Sequence, residues 1–217
     1  MPSRIASLRH LLLVACVAGS TVGAHAGRPL AVDDANVNEP GRGQLETWVA
    51  GSEGARLFNV APAYAPIRGL ELGALLAQDS VARQTLTAVQ AKWQATPSAS
   101  SGCNAGLVAG ASRASGDGSA AYLNGLLTCN SEPLGSFHFN LGASKPRHEP
   151  AAPTWGVAYE REIGHVTPHI EWFGARHTRP TLQAGLRGLV APLVQLDGSV
   201  GRGGDQTLFT IGLKYQF

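Results

Sequence analysis

The sequence predicts an all-β fold, a transmembrane antiparallel β-barrel of about twelve strands, with roughly ten to fourteen as the range. Three observations predict it. The chain opens on an export-type leader and then contains no apolar run long enough for a spanning helix. From Gln44 onward, large apolar residues alternate with polar ones at a period of two. The final stretch, "TLFTIGLKYQF", keeps that alternation to the last residue, with Phe209, Ile211, Leu213, Tyr215 and Phe217 on one face of an extended strand. A chain end is ordinarily frayed and polar; this one is built for burial in an apolar surround.

The leader reads in the order charged, apolar, small. Arg4 and Arg9 precede the run from Leu11 to Val17, and Ala24-His25-Ala26 supplies a cleavage site, so residues 1–26 are expected to be a removed signal peptide. The rival is a lipoprotein signal at Leu13-Val14-Ala15-Cys16, but Arg9 leaves too short an apolar core before Cys16. Loss of Arg4 and Arg9 from the 17 Lys and Arg leaves 15, equal to the 15 Asp and Glu. A formally neutral mature chain gives no basic surface for nucleic acid. Cys16 leaves too, so Cys103 and Cys129 remain as a candidate disulfide in an exported protein.

Residues 27–43, "GRPLAVDDANVNEPGRG", are polar and rich in turn formers, and are expected to form a periplasmic lead-in segment ahead of the wall. The barrel is expected over 44–217. Its strands are read at roughly 44–51, 55–66, 69–78, 84–94, 103–113, 119–129, 134–143, 154–162, 165–176, 181–190, 193–200 and 206–217. Turn signals separate them, including Ser52-Glu53-Gly54, Arg68-Gly69, Gly116-Asp117-Gly118 and Gly201-Arg202-Gly203-Gly204. Ala191-Pro192 reads either as a turn or as a bend within one strand, and the even count depends on it.

In every late strand one face is apolar or small and the other carries charge. Val166, Pro168, Ile170 and Trp172 oppose His165, Thr167, His169 and Glu171, for example. A soluble sandwich would turn the apolar face inward, whereas a membrane barrel turns it outward against lipid. Strands of about ten residues with short turns favour the barrel. So do Trp48, Tyr64, Trp93, Trp155, Trp172 and Tyr215 near strand ends, where interfacial girdles lie. The expected site is then the bacterial outer membrane, with both termini facing the periplasm.

The last strand resembles the C-terminal signal by which the barrel-assembly machinery of Gram-negative bacteria recognises its substrates. Thr210, Gly212, Tyr215 and Phe217 fill the four places of that pattern. An unpaired terminal strand can add to a sheet edge by β-augmentation, and later closes the barrel by pairing with the first strand. At the other end, "RPLAVDDANVNEPGRGQLETW" resembles the start of a family of bacterial outer-membrane proteins named after the MetA pathway of phenol degradation. Arg28, Pro29, Leu30, Asp33, Asp34, Ala35, Gly41, Gln44 and Glu46 carry the likeness, and "LVQLDGSVGR" adds to it. Members are labelled transporters by inference, so the resemblance implies a barrel and a transport role without a substrate.

The expected lumen network comprises Glu160, Glu162, His169, Glu171, Arg187, Gln195, Asp197 and Lys214. Charges of both signs on neighbouring strands either satisfy one another structurally or form a polar eyelet that selects solutes. His165, His169, Glu171 and His177 offer ligand atoms, but same-face spacing of about 6.6 Å along one strand does not converge them on a metal. Ser136 and His138 form the best nucleophile-and-base pairing, without a lipase motif around them. The glycine clusters lack a phosphate-binding pattern, and no catalytic residue, metal or cofactor is expected. If the hairpin centres on Gly116, Cys103 and Cys129 stand directly opposite each other across it, close enough for a disulfide.

These readings lead to a barrel that passes a small solute by passive or facilitated diffusion. The alternatives are a lumen-plugged barrel with a structural or interaction role, a lipid-modifying barrel enzyme, and a soluble secreted β-protein. Partners expected on this reading are outer-membrane lipid, the assembly machinery and an unnamed small solute, with no nucleic acid.

Overall fold

A computed structural model describes residues 30–52, 55–115 and 118–217. The leader expected over residues 1–26 lies outside them. The described chain forms twelve strands: β1 (Gly43–Ser52), β2 (Ala55–Ile67), β3 (Leu70–Asp79), β4 (Thr85–Gln94), β5 (Gly102–Ala114), β6 (Gly118–Ser131), β7 (Gly135–Pro146), β8 (Ala152–Glu160), β9 (Val166–Ala175), β10 (Thr181–Ala191), β11 (Val194–Gly203) and β12 (Gln206–Gln216). Each pairs antiparallel with the next, and β12 pairs with β1, so the sheet closes into a barrel and leaves no edge. The Ala191-Pro192 ambiguity resolves as a turn. Leu193 adopts φ 65°, and the β10–β11 register shifts between Leu189 and Ala191 as the chain reverses. At the two-residue turn between β2 and β3, Gly69 takes φ 78°, a left-handed value open to glycine without a Cβ clash.

The alternation read in the sequence becomes two surfaces of opposite character. Outside, Val89, Leu123, Leu141, Leu186, Val200 and Ile211 are all more than half exposed. Inside, Glu46, Glu71, Lys92, Thr128 and Glu171 are at most 1% exposed. A water-soluble protein has the reverse arrangement, so this is a barrel whose solvent is lipid. Outward aromatics collect near the end of the barrel where β1 begins and β12 ends (Tyr64, Trp93, Phe137, Tyr215 and Phe217). Trp155 and Trp172 form an edge-to-face pair toward the opposite end, with ring centroids 4.8 Å apart. Trp48 is a correction to the expected girdle: it is 8% exposed and shares the inward face of β1 with Gln44 and Glu46.

In the β5–β6 hairpin, Ala114 pairs with Gly118 and Cys103 with Cys129, the register inferred from a hairpin centred on Gly116. The two cysteines are disulfide-bonded, with Cα atoms 4.0 Å apart and a separation of 26 positions in sequence. Replacing both with serine is expected to lower stability by about 2–4 kcal/mol, since the cross-link restricts the unfolded chain. The check is the denaturant midpoint of the barrel in lipid vesicles, beside mass spectrometry for free thiols. Two free thiols in the oxidised, folded parent would contradict the bond.

Candidate functional site in the barrel lumen

Strand geometry sends every second residue inward, so the lumen is lined by one alternating set from each strand. Among the described residues, most inward charges lie in the half of the barrel where β1 begins and β12 ends. Glu46, Glu71, Lys92, Glu160, Arg187, Asp197 and Lys214 are there, with Glu171 near the middle of β9. Toward the opposite end the lining is neutral and polar, with Asn59, Ser112, Asn124, Thr154, Gln183 and Ser199. Asp79, at that end, is engaged in its turn and accepts hydrogen bonds from the Val81 and Ala82 amides at 2.7 and 2.9 Å.

Seven of the eight residues expected in the lumen network point inward, and these are Glu160, His169, Glu171, Arg187, Gln195, Asp197 and Lys214. Glu162 does not. β8 stops at Glu160, the Arg161 amide bonds the Pro168 carbonyl at 3.2 Å, and Ile163 bridges Val166 to turn the chain. Glu162 is therefore exposed in that turn. Arg187 Nη2 donates to Glu160 Oε1 at 2.7 Å, and His138 Nε2 lies 3.4 Å from the same oxygen. On its other side the His138 ring meets Thr128 Oγ1 at 3.0 Å. Gln183 donates to Glu171 Oε1 at 2.7 Å. Ser136 donates to Asn130 instead of facing His138 as a nucleophile would face its base. His165 and His177 are exposed in turns, away from buried His169 and Glu171.

The largest departure from expectation concerns the lead-in. Residues Leu30–Asn38 do not stand ahead of the wall; they run through the lumen. Glu171 Oε2 accepts hydrogen bonds from the amides of Ala31 and Val32 at 2.6 and 2.7 Å. Asn140 holds the backbone of one residue on both sides, accepting from the Asp33 amide at 2.8 Å and donating to the Asp33 carbonyl at 2.7 Å. Thr128 Oγ1 accepts from Ala35, and Glu71 Oε2 accepts from both the amide and the side chain of Asn38. Lys92, fully buried, lies 2.9 Å from Asp33 and 3.4 Å from Asp34.

Apolar contacts complete the seat. Leu30 and Val32 pack with Ala158 and Phe173, and Ala35 packs with Val108 and Leu126. A Cβ on Gly156 would lie 2.8 Å from Val32 Cγ2, so the wall lacks a side chain where the segment passes. The segment leaves toward β1 along β2, with Gly41 donating to the Ala65 carbonyl and Ala65 to that of Arg42. Lys92, Glu71, Thr128 and Asn140 were absent from the expected network, although their inward parity is legible in the sequence alternation. Their partner segment is not legible there.

The chain belongs to the family described as "Uncharacterised conserved protein UCP029691", whose model matches residues 13–217. No curated protein matches it. Among solved structures it is similar to the KdgM porin, at 13% identity and a TM-score of 0.66 over 80% of this chain and 99% of that one. A second structure of that porin, in complex with disordered oligogalacturonate, gives a TM-score of 0.69 at the same identity and coverage. The Acinetobacter baumannii outer membrane protein Omp33 is similar at 10% identity and a TM-score of 0.54, over 81% of this chain and 98% of that one. At these identities the likeness is one of fold, a closed barrel of the outer-membrane porin kind.

Proposed function

We propose that the protein is an outer-membrane channel that passes a small polar solute by diffusion through its lumen. The observation that carries the reading is the inversion of surfaces: a closed barrel, apolar outside, buries most of its polar and charged side chains on its inner face. The fold shared with porins and the N-terminal resemblance to outer-membrane proteins labelled transporters support it. Thr210, Gly212, Tyr215 and Phe217 serve, on the same reading, as the assembly signal. Tyr215 and Phe217 face outward, and Phe217 exchanges backbone hydrogen bonds with Gly43 where the barrel closes.

The path enters through the neutral half and continues along the β8–β10 side. There the side chains of Glu160 and Arg187 keep 12% and 23% exposure, whereas that of Lys92 keeps none. A solute on this path meets a cation and an anion held in register, the arrangement of a selective eyelet. Detergent-refolded protein in a planar bilayer is expected to give stepwise conductance, and Arg187→Ala to shift its ion preference toward cations. A folded and inserted barrel that stays silent would favour the second reading, a plugged structural barrel. The burial of Leu30–Ala35 in the lumen is the observation that speaks for that reading.

A further inference from the structure

We propose that Lys92 is a charge lock that holds residues Leu30–Asn38 inside the lumen, and that release of the lock frees the segment without unfolding the wall. The consequence for aperture, a wider path once the segment is free, rests on the channel reading; the lock itself does not. The segment is not a thirteenth strand. Its anchors in the lumen are wall side chains, Glu71, Thr128, Asn140 and Glu171, drawn from four strands, whereas each wall strand is held by a backbone ladder to two neighbours. Side-chain anchors can let go singly, and a ladder cannot. Closure of the wall is independent of the segment because β1 pairs with both β2 and β12 without it.

Electrostatics picks Lys92 out of the anchors. Asp33 is 3% exposed, and Lys92 approaches both it and Asp34 with its own side chain fully buried. An ion group taken out of water is tolerated only when paired, and removing one partner costs far more than replacing the whole group by neutral residues. Lys92→Gln therefore takes the cation from beside two carboxylates, one 3% and the other 19% exposed, and drives the segment out. Glu71 stands opposite Lys92 and is 1% exposed, so it belongs to the same group. Neutralising the whole group, as Asp33→Asn, Asp34→Asn, Glu71→Gln and Lys92→Gln together, removes the penalty and lets the remaining hydrogen bonds and apolar contacts keep the segment seated.

The test uses a reporter in the full chain. Val32, 1% exposed beside Gly156, is replaced by Cys, with Cys16 changed to Ser and Cys103–Cys129 left bonded. Reaction with a neutral maleimide is timed for the barrel in lipid vesicles, and heat-modifiable gel migration verifies that each variant is folded. The reporter is expected to be protected in the otherwise unaltered chain, to react about a hundredfold faster with Lys92→Gln, and to regain protection in the quadruple neutral variant. Equal protection in Lys92→Gln overturns the lock. A quadruple variant as reactive as Lys92→Gln overturns it as well, because charge then does not decide the seating. The expected reactivity pattern without conductance in any variant upholds the lock and defeats the channel reading.

Discussion

Leu141→Arg is expected to destabilise the barrel in lipid by about 2–4 kcal/mol, the cost of placing a guanidinium near the middle of the hydrocarbon layer. Leu141 is 72% exposed, points outward, and lies near the centre of β7 opposite Gly125 on β6 and Trp155 on β8. Val81→Arg is the comparison. Val81 is 63% exposed but sits in the turn after β3, outside the strands, so the same substitution should change stability by less than about 0.5 kcal/mol. Denaturant midpoints in vesicles decide it. If the two variants behave alike, the apolar outer face is not in lipid, and the membrane reading fails.

Gly142→Ala is expected to cost about 3 kcal/mol or more, enough to prevent recovery of the heat-modifiable folded form. Gly142 faces the lumen on β7, and a Cβ there would overlap the Leu123 carbonyl and the Asn124 side-chain oxygen. Asn124 is itself held, accepting a hydrogen bond from Thr154 at 2.9 Å, so it cannot step aside without losing that bond. The carbonyl belongs to the β6 ladder and cannot move alone. Gly125→Ala is the control in the neighbouring strand. There the nearest atom to a Cβ is the Leu141 carbonyl at 3.5 Å, ordinary contact, and the substitution should be neutral or stabilising by up to about 1 kcal/mol.

The wall was legible in the sequence because its rule is local. Inward and outward faces follow from a period of two, and turn residues mark where the count restarts. Hence all twelve strands stand close to their expected positions, and the Cys103–Cys129 pairing follows from the centre of one hairpin. Trp48 was legible too: it shares the parity of Gln44 and Glu46, and the expectation of a girdle residue at a strand end obscured it. Glu162 was lost to a boundary. Parity holds only while the strand lasts, and β8 ends two residues before it.

The amino-acid order alone decided the fold class, the faces of the strands and the charged set late in the chain. Those properties come from neighbours in sequence and from the hydrogen-bond demands of a backbone in lipid. Tertiary structure decided what fills the lumen. "LAVDDANVN" carries no periodicity to mark it as an inserted segment, and its seat is assembled from residues far away in sequence. Lys92 is 59 positions from Asp33, Thr128 is 93 from Ala35, and Glu171 is 139 from Val32. Complementarity of that kind exists only once the barrel has closed and brought β3, β4, β6, β7 and β9 around one space, which is why the same polar stretch reads as a loop in sequence and lies buried in the folded protein.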